Sequence, residues 1–256
     1  MVRQGSAKAP FDGSIPSLAS LNIMPKPLRI PWSNDLLIVG CVLTRSGLAQ
    51  LSHLRQDADL IELRIDALLQ SETPKSAILR ALRGRKTPVL LTLRTSDEGG
   101  QFNWKSTERI SWFEELMPYA DAIDVELRNV PALRPIIRQA RHQGRGVILS
   151  AHSLKRKLTR ARAERWIEAF SHHQANVYKM ASVARTRKDL EVLVRLLLDY
   201  PRKRLAPMAT GPMAALSRVV LPALGARLVY GYLDEPAAPG QPSCAELRER
   251  LADWLI

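Results

Sequence analysis

Two side chains in this sequence pair reactive chemistry with unusual surroundings. Lys179 stands inside "NVYKMASVA" (176–184), which otherwise reads as a short buried strand, and His152 ends the comparable run "GVILSAH" (146–152). A long amine in apolar surroundings loses hydration and has its ammonium form disfavoured, so a chain keeps one there only where something offsets the cost. An amine freed of its proton can attack a ketone to form an imine, and a neighbouring imidazole can move the protons that make and break it. On its own, each residue reads as a structural ion-pair partner or a satisfied core histidine. On adjacent strands and at the same end, the two together point to catalysis.

Other charges join them. Side chains alternate across a strand, so Glu62, Arg64 and Asp66 share one face, Thr92 and Arg94 another, and Asp124 and Glu126 a third. Their neighbours Ile61, Leu63 and Ile65 are apolar and suit a side covered by helices. Several strands with charges on the inner face call for an active-site mouth. There is no phosphate-cradling glycine loop of the Walker or GxGxxG kind, and this leaves nucleotide chemistry without a foothold. The expected chemistry is cofactor-free.

Eight short apolar runs must carry these residues: 36–42, 60–66, 88–94, 122–128, 146–152, 176–182, 204–209 and 227–233. Helical spacing fills the gaps. Ala163, Trp166, Ile167 and Phe170 form one stripe, Leu190, Leu193, Val194 and Leu197 a second, and Leu247, Leu251, Trp254 and Leu255 a third. Eight alternations over ~220 residues predict a closed (β/α)8 TIM barrel, an α/β fold, as a single domain over 35–256. Pro207 removes a ladder donor, which predicts a short or irregular seventh strand. Residues 1–34, rich in Pro and Ser, read as a flexible or loosely packed N-terminal extension.

Composition sets the outer limits. A chain of 256 residues with 46% hydrophobic content can bury a sizeable core. No apolar run approaches the ~20 residues of a membrane helix, and the first residues lack the apolar core of a secretory signal. Cys41 and Cys244 lie far apart without metal-ligand spacing, which fits a reducing cytoplasm. The net charge of +13 is spread over clusters at 83–86, 155–157, 185–188 and 202–204. With no basic helix and little aromatic interleaving, nucleic acid is not the expected partner. Solvated loop charges, or a field that steers a small anionic substrate, fit better.

Seven segments then carry a resemblance. "ELRID" (62–66), "LRTSDEGG" (93–100), "IDVEL" (123–127), "SAH" (150–152), "YKMA" (178–181), "LSR" (216–218) and "AAPGQ" (237–241) resemble, in order, the signature segments of type I 3-dehydroquinate dehydratase, across about 36–256. The resemblance implies a (β/α)8 barrel, a homodimer, and dehydration of an anionic cyclic keto acid through an imine in the third step of the shikimate pathway. It makes Lys179 the imine-forming residue, His152 the general acid/base and Glu98 the residue that orients the histidine. It assigns Glu62, Arg64 and Arg94 to the substrate's ring hydroxyls, Arg218 to its carboxylate and Gln241 to a closing loop. Met208 and Tyr230, the latter commonly Phe, would pack around the substrate. The sequence departs from the pattern at Thr210, where a methionine is common, at Ala214 in place of glycine, and at Ala237 in place of a lid serine. Two rival readings are a class I aldolase on the same barrel, which would need a phosphate cradle that "EPAAPGQ" (235–241) does not resemble, and a non-catalytic basic binding protein that kept the fold.

Overall fold

The structure is a computed structural model describing residues 26–33, 36–51, 57–236 and 241–252. Ala237, Trp254, Leu255 and most of the 1–34 stretch lie outside the described residues. In chain order the elements are β1 (Leu37–Val42), α1 (Arg45–Ala49), β2 (Leu60–Arg64), α2 (Ile65–Gln70), α3 (Lys75–Gly84), β3 (Val89–Thr92), α4 (Ser106–Leu116), β4 (Ala122–Glu126) and α5 (Val130–His142). They continue as β5 (Gly146–Lys157), α6 (Arg160–Ser171), β6 (Val177–Val183), α7 (Arg187–Asp199), β7 (Leu205–Thr210), α8 (Ala214–Ala223), β8 (Leu228–Tyr232) and α9 (Cys244–Arg250). All eight strands run parallel in the order β7-β6-β5-β4-β3-β2-β1-β8, with helices outside, which is the (β/α)8 barrel.

The helices form where periodicity and caps coincide. Ala163, Ile167 and Phe170 are the buried stripe of α6, whose N-cap Thr159 accepts from the Arg162 amide. Leu190, Leu193 and Leu197 are buried on α7, which opens with a capping box of Thr186 and Asp189. Each such cap satisfies amides that the first turn leaves without partners.

Inside the barrel, strand alternation sorts the side chains into levels. Leu37, Leu60, Leu90, Ala122, Ile148, Val177, Ala206 and Leu228 supply one buried apolar side chain per strand to the lower core. Two residues further along the same strands stand Val39, Glu62, Thr92, Asp124, Ser150, Lys179, Met208 and Tyr230. Polar chemistry therefore begins one level above an apolar floor. Asp66, expected on the strand face with Glu62 and Arg64, lies instead in the first turn of α2, because β2 ends at Arg64 and the backbone turns over the barrel rim there.

Pro207 does not shorten β7, which keeps an unbroken register with β6 from Tyr178↔Leu205 to Val183↔Thr210. The backbones of Arg204 and Thr210 bond toward β6, whereas Leu205 and Ala209 face β8, so Pro207 also faces β8. No ladder forms on that side. Among the described residues one backbone bond crosses this seam, from the Arg227 amide to the Leu205 carbonyl at 2.8 Å. Side chains of α8 close the rest. Ser217 accepts from the Ala209 amide at 3.3 Å, and Arg218 donates to the carbonyls of Tyr230 at 2.9 Å and Ala209 at 3.4 Å. The proline sits where its missing donor costs least.

Residues 26–33 include a plug on the barrel floor: Ile30 is buried and Trp32 packs beside it against the inner core. Gly146 makes room for it, since a Cβ there would lie 2.4 Å from the Trp32 ring. Asp121 ties this end together. Its carboxylate accepts from the Leu28 amide at 2.6 Å, the Val89 amide at 2.8 Å and, bidentately, from Arg85 at 2.7 and 2.8 Å. Arg85, read from sequence as part of a solvated cluster, is therefore a buried ion-pair partner whose side chain is 4% exposed. Asp121→Ala is expected to lower the unfolding free energy by about 3–5 kcal/mol, because it strands a buried guanidinium. Asp121→Asn should lose less, since its amide oxygen still accepts from a backbone amide. Urea unfolding checks both, and an Asp121→Asn variant as stable as the wild type would contradict the charge argument.

Candidate active site

Lys179 is 4% exposed, and its Nζ lies 3.2 Å from Glu62 Oε1 and 3.5 Å from Asp124 Oδ2, with the Tyr230 ring centroid at 4.0 Å. The other oxygens of the two carboxylates are also engaged. Cys41 Sγ donates to Glu62 Oε2 and Ser150 Oγ to Asp124 Oδ1, while Thr92 Oγ1 shares Glu62 Oε1 with Lys179. Burial alone would raise the pKa of both acids. The charges of Lys179, Arg64 and Arg94 together outweigh it at Glu62, and those of Arg94 and Lys179, with the Ser150 hydrogen bond, outweigh it at Asp124, so both stay ionised below their ordinary range.

Arg94 is the second hub. It reaches Asp124 at 3.0 Å, Glu126 at 3.4 Å and Ser150 Oγ at 2.8 Å. Burial opposes its charge, yet Asp124, Glu126 and Glu62 together raise its pKa. Arg109 of α4 pairs with the other Glu126 oxygen, and Thr95 donates its amide to Glu126 at 2.9 Å. Arg64 forks onto Asp66 at 2.9 and 2.7 Å, and Asp66 accepts the Gln101 amide at 3.2 Å. These contacts fix the loop that carries Glu98.

Glu98 ends a 3-10 turn, Ser96–Glu98, closed by Gly99 at φ 86°, a conformation glycine adopts without strain. Leu154 packs over that glycine, where a Cβ would lie 2.5 Å from its Cδ1. Glu98 Oε2 lies 2.7 Å from His152 Nδ1. Burial, reinforced by Glu126 and Asp124, pushes the Glu98 carboxyl up to about 7 against the relief from Arg94. Burial and the charges of Arg94 and Lys179 hold His152 well below its ordinary value, so the imidazole is neutral. Nδ1 faces the carboxylate, which leaves Nε2 as the nitrogen able to take or give a proton elsewhere.

Arg218 is buried and pairs with no carboxylate among the described residues; its partners are the carbonyls of Tyr230, Ala209 and Ala214. Burial lowers its pKa. A guanidinium held only by neutral carbonyls is a ready receptor for an anion. Tyr230 spans the site, its carbonyl on Arg218 and its ring over Lys179. Met208 packs beside it, and Gln241 is buried next to Pro242, whose carbonyl receives the Tyr232 amide. Lys155, Arg156 and Lys157 end β5 and are exposed, whereas Arg202 and Lys203 precede β7 at the opposite end.

Of the ten residues singled out from sequence, nine stand at or above the level of Lys179 or on the loops over it, and Arg218 reaches the β7–β8 seam from α8. Sequence reasoning gave Asp124 and Glu126 an inward face but no role, and it missed Ser150 and Arg109. Ser150 shares the parity of His152, and Arg109 falls on the buried stripe of Phe113 and Leu116, so both signals were present. An arginine on an apolar helical stripe is itself a sign of a buried acid.

The family model described as type I 3-dehydroquinase matches residues 41–253. The 3-dehydroquinate dehydratase of Methanocella arvoryzae is 32% identical over 199 residues, covering 76% of this chain and 86% of that protein. The one from Methanococcoides burtonii is 28% identical over 200 residues, covering 76% and 84%. Among solved structures, a type I 3-dehydroquinate dehydratase from Clostridium difficile superposes with a TM-score of 0.76 at 21% identity, covering 86% of this chain and 92% of that one. The Enterococcus faecalis 3-dehydroquinate dehydratase gives 0.74 at 23%, covering 89% and 97%. At these identities the superpositions speak for the fold.

The Glu98–His152 pair carries a pH signature. Glu98 rises from 4.5 to about 7 on folding and His152 falls from 6.5, so between about pH 4.5 and 6.5 the folded pair and the unfolded chain each hold one proton. Stability contributions cancel in that window. In Glu98→Gln only the depressed histidine remains; the unfolded chain binds the extra proton, and stability should rise with pH up to about 6.5. In His152→Ala only the raised carboxyl remains; the folded state binds the extra proton, and stability should fall as pH rises from 4.5 to about 7. Urea unfolding across this range checks the opposite slopes. Slopes of one sign in both variants would overturn the assignment.

Proposed function

As the chain belongs to the type I 3-dehydroquinase family, we propose that it dehydrates 3-dehydroquinate to 3-dehydroshikimate through an imine on Lys179. The observation that carries this reading is a buried amine among carboxylates on β6, with a neutral, carboxylate-oriented imidazole on the adjacent strand. The solved Clostridium difficile relative holds a covalently modified comenic acid.

Arg218 pairs with the substrate carboxylate and fixes the ring, while Glu62, Arg64 and Arg94 hold its hydroxyls. Met208 and Tyr230 flank it, and Gln241 belongs to the segment that closes over it. With His152 moving the protons, Lys179 attacks the C3 ketone; the carbinolamine loses water and becomes a protonated imine. That cation draws electrons from the C2–H bond, and His152 takes the proton. The enamine then expels the C1 hydroxyl, which leaves as water with the proton from His152. Hydrolysis of the imine returns Lys179 and releases 3-dehydroshikimate. Glu98 holds Nδ1, so that Nε2 does both proton transfers. The protonated imine is the electron sink, and the cycle calls for no cofactor.

The reading extends to the third step of the shikimate pathway, in a homodimer in the cytoplasm. Cys41 and Cys244, both buried and free, fit a reducing compartment, and no helix among the described residues is long and apolar enough to cross a membrane.

Borohydride reduction in the presence of 3-dehydroquinate should leave a covalent adduct on Lys179, read by mass spectrometry. Lys179→Met should give no adduct and lose several orders of magnitude in turnover, while His152→Ala should accumulate an adduct that persists. An adduct on another lysine would overturn the assignment. Exposed charges at the mouth should also steer the anion, since screening limits their field to about 10 Å at ~0.1 M salt. Neutralising Lys155, Arg156 and Lys157 together should lower kcat/KM at low salt with kcat little changed. The same change at Arg202, Lys203 and Arg204 should do almost nothing, and equal effects from the two sets would end the steering argument.

A further inference from the structure

Tyr230 carries a group that the mechanism above does not use. The residue is 5% exposed, and its buried hydroxyl has no hydrogen-bond partner among the described residues. Buried tyrosines ordinarily pair their hydroxyl, because an unmatched one forfeits the bond it made to water. The neighbouring acceptors are already engaged. Glu62 receives Cys41, Thr92 and Lys179, and Asp124 receives Ser150, Arg94 and Lys179. Phenylalanine would fill the same volume and keep the ring against the Lys179 ammonium, so packing does not account for the oxygen.

We propose that the Tyr230 hydroxyl is a catalytic hydrogen-bond donor for the C3 oxygen of the substrate while Lys179 forms its imine. This rests on the imine reading above. The geometry supports it as follows. For an amine 4.0 Å above the ring centroid, ring geometry puts the phenol oxygen roughly 5 Å away. The C3 oxygen of the carbinolamine is two bonds from Nζ, and one hydrogen bond beyond that adds up to roughly the same 5 Å. As Nζ bonds to C3, the carbonyl electron pair moves onto oxygen and the phenol donates to it. The C–O bond then breaks and water leaves, its protons supplied through His152, while the phenol keeps its own. Burial, with Glu62 and Asp124 nearby, raises the Tyr230 pKa well above the ordinary phenol value, which suits a donor that does not ionise. Unmatched among the described residues, the donor acquires its acceptor with the substrate, so its stabilisation appears when the reacting oxygen does.

Tyr230→Phe tests this, since the variant removes one oxygen and keeps the ring. Rapid quenching of single turnovers into borohydride measures how fast 3-dehydroquinate becomes trappable on Lys179. The expected result is adduct formation slowed by about ten- to a hundredfold, KM within about twofold of wild type, and a melting temperature unchanged or raised. Trapping within about twofold of wild type, or a rise in KM alone, would overturn the proposal and leave the hydroxyl a passenger. Wild type that forms no adduct at all would instead sink the imine reading, and this role with it. Wild type that traps normally beside an unaltered Tyr230→Phe would sink only the role of the phenol.

Discussion

The ion pairs of Lys179 with Glu62 and Asp124 are the interaction on which the centre of the barrel depends. None of the three charges has water to solvate it, and each is tolerable there only because the others are present. The same condition propagates outward. Asp124 needs Arg94, Arg94 needs Glu126, and Glu126 is shared with Arg109 on α4 and with the Thr95 amide that starts the Glu98 turn. Removing one partner leaves a buried charge uncompensated, so the network positions its members more strictly than apolar packing could. An amine held this way starts every encounter with substrate from one place.

Arg218 solves a different problem with one side chain. The barrel lacks a ladder between β7 and β8, and the carbonyls left over at that seam need donors. Arg218 supplies them and so becomes a buried cation that meets no carboxylate among the described residues at the edge of the site. Strand closure and the proposed anion recognition thus share an origin, and Pro207 is tolerated on β7 because its side of the strand was never laddered. Tyr230 joins both functions, with its carbonyl in the seam and its ring on the amine.

Charge is arranged differently at the two ends. At the floor, Arg85 is neutralised by Asp121, and together they anchor a plug of Ile30 and Trp32. At the mouth, the basic ends of β5 and α7 face solvent. The excess of positive charge that the composition records is therefore exposed on the side where an anion would enter, and partly structural on the other.

Alternating apolar runs and helical stripes determined the barrel from sequence alone, because strand and helix periods are local properties of the chain. The same parity rule found Glu62 and Arg94, while a reactive residue near the end of an apolar run found Lys179 and His152. Other features were decided only in three dimensions. Asp66 left its strand because the rim required a turn, Arg85 exchanged solvent for Asp121, and residues near Trp32 closed the floor from a stretch with no periodicity at all. Pairing across strands is invisible in a linear pattern, since it depends on register and on which side chain first runs out of water. The sequence could nominate Tyr230 to flank a substrate, but that its hydroxyl lacks a partner emerged only once every neighbouring acceptor had been matched to its own donor.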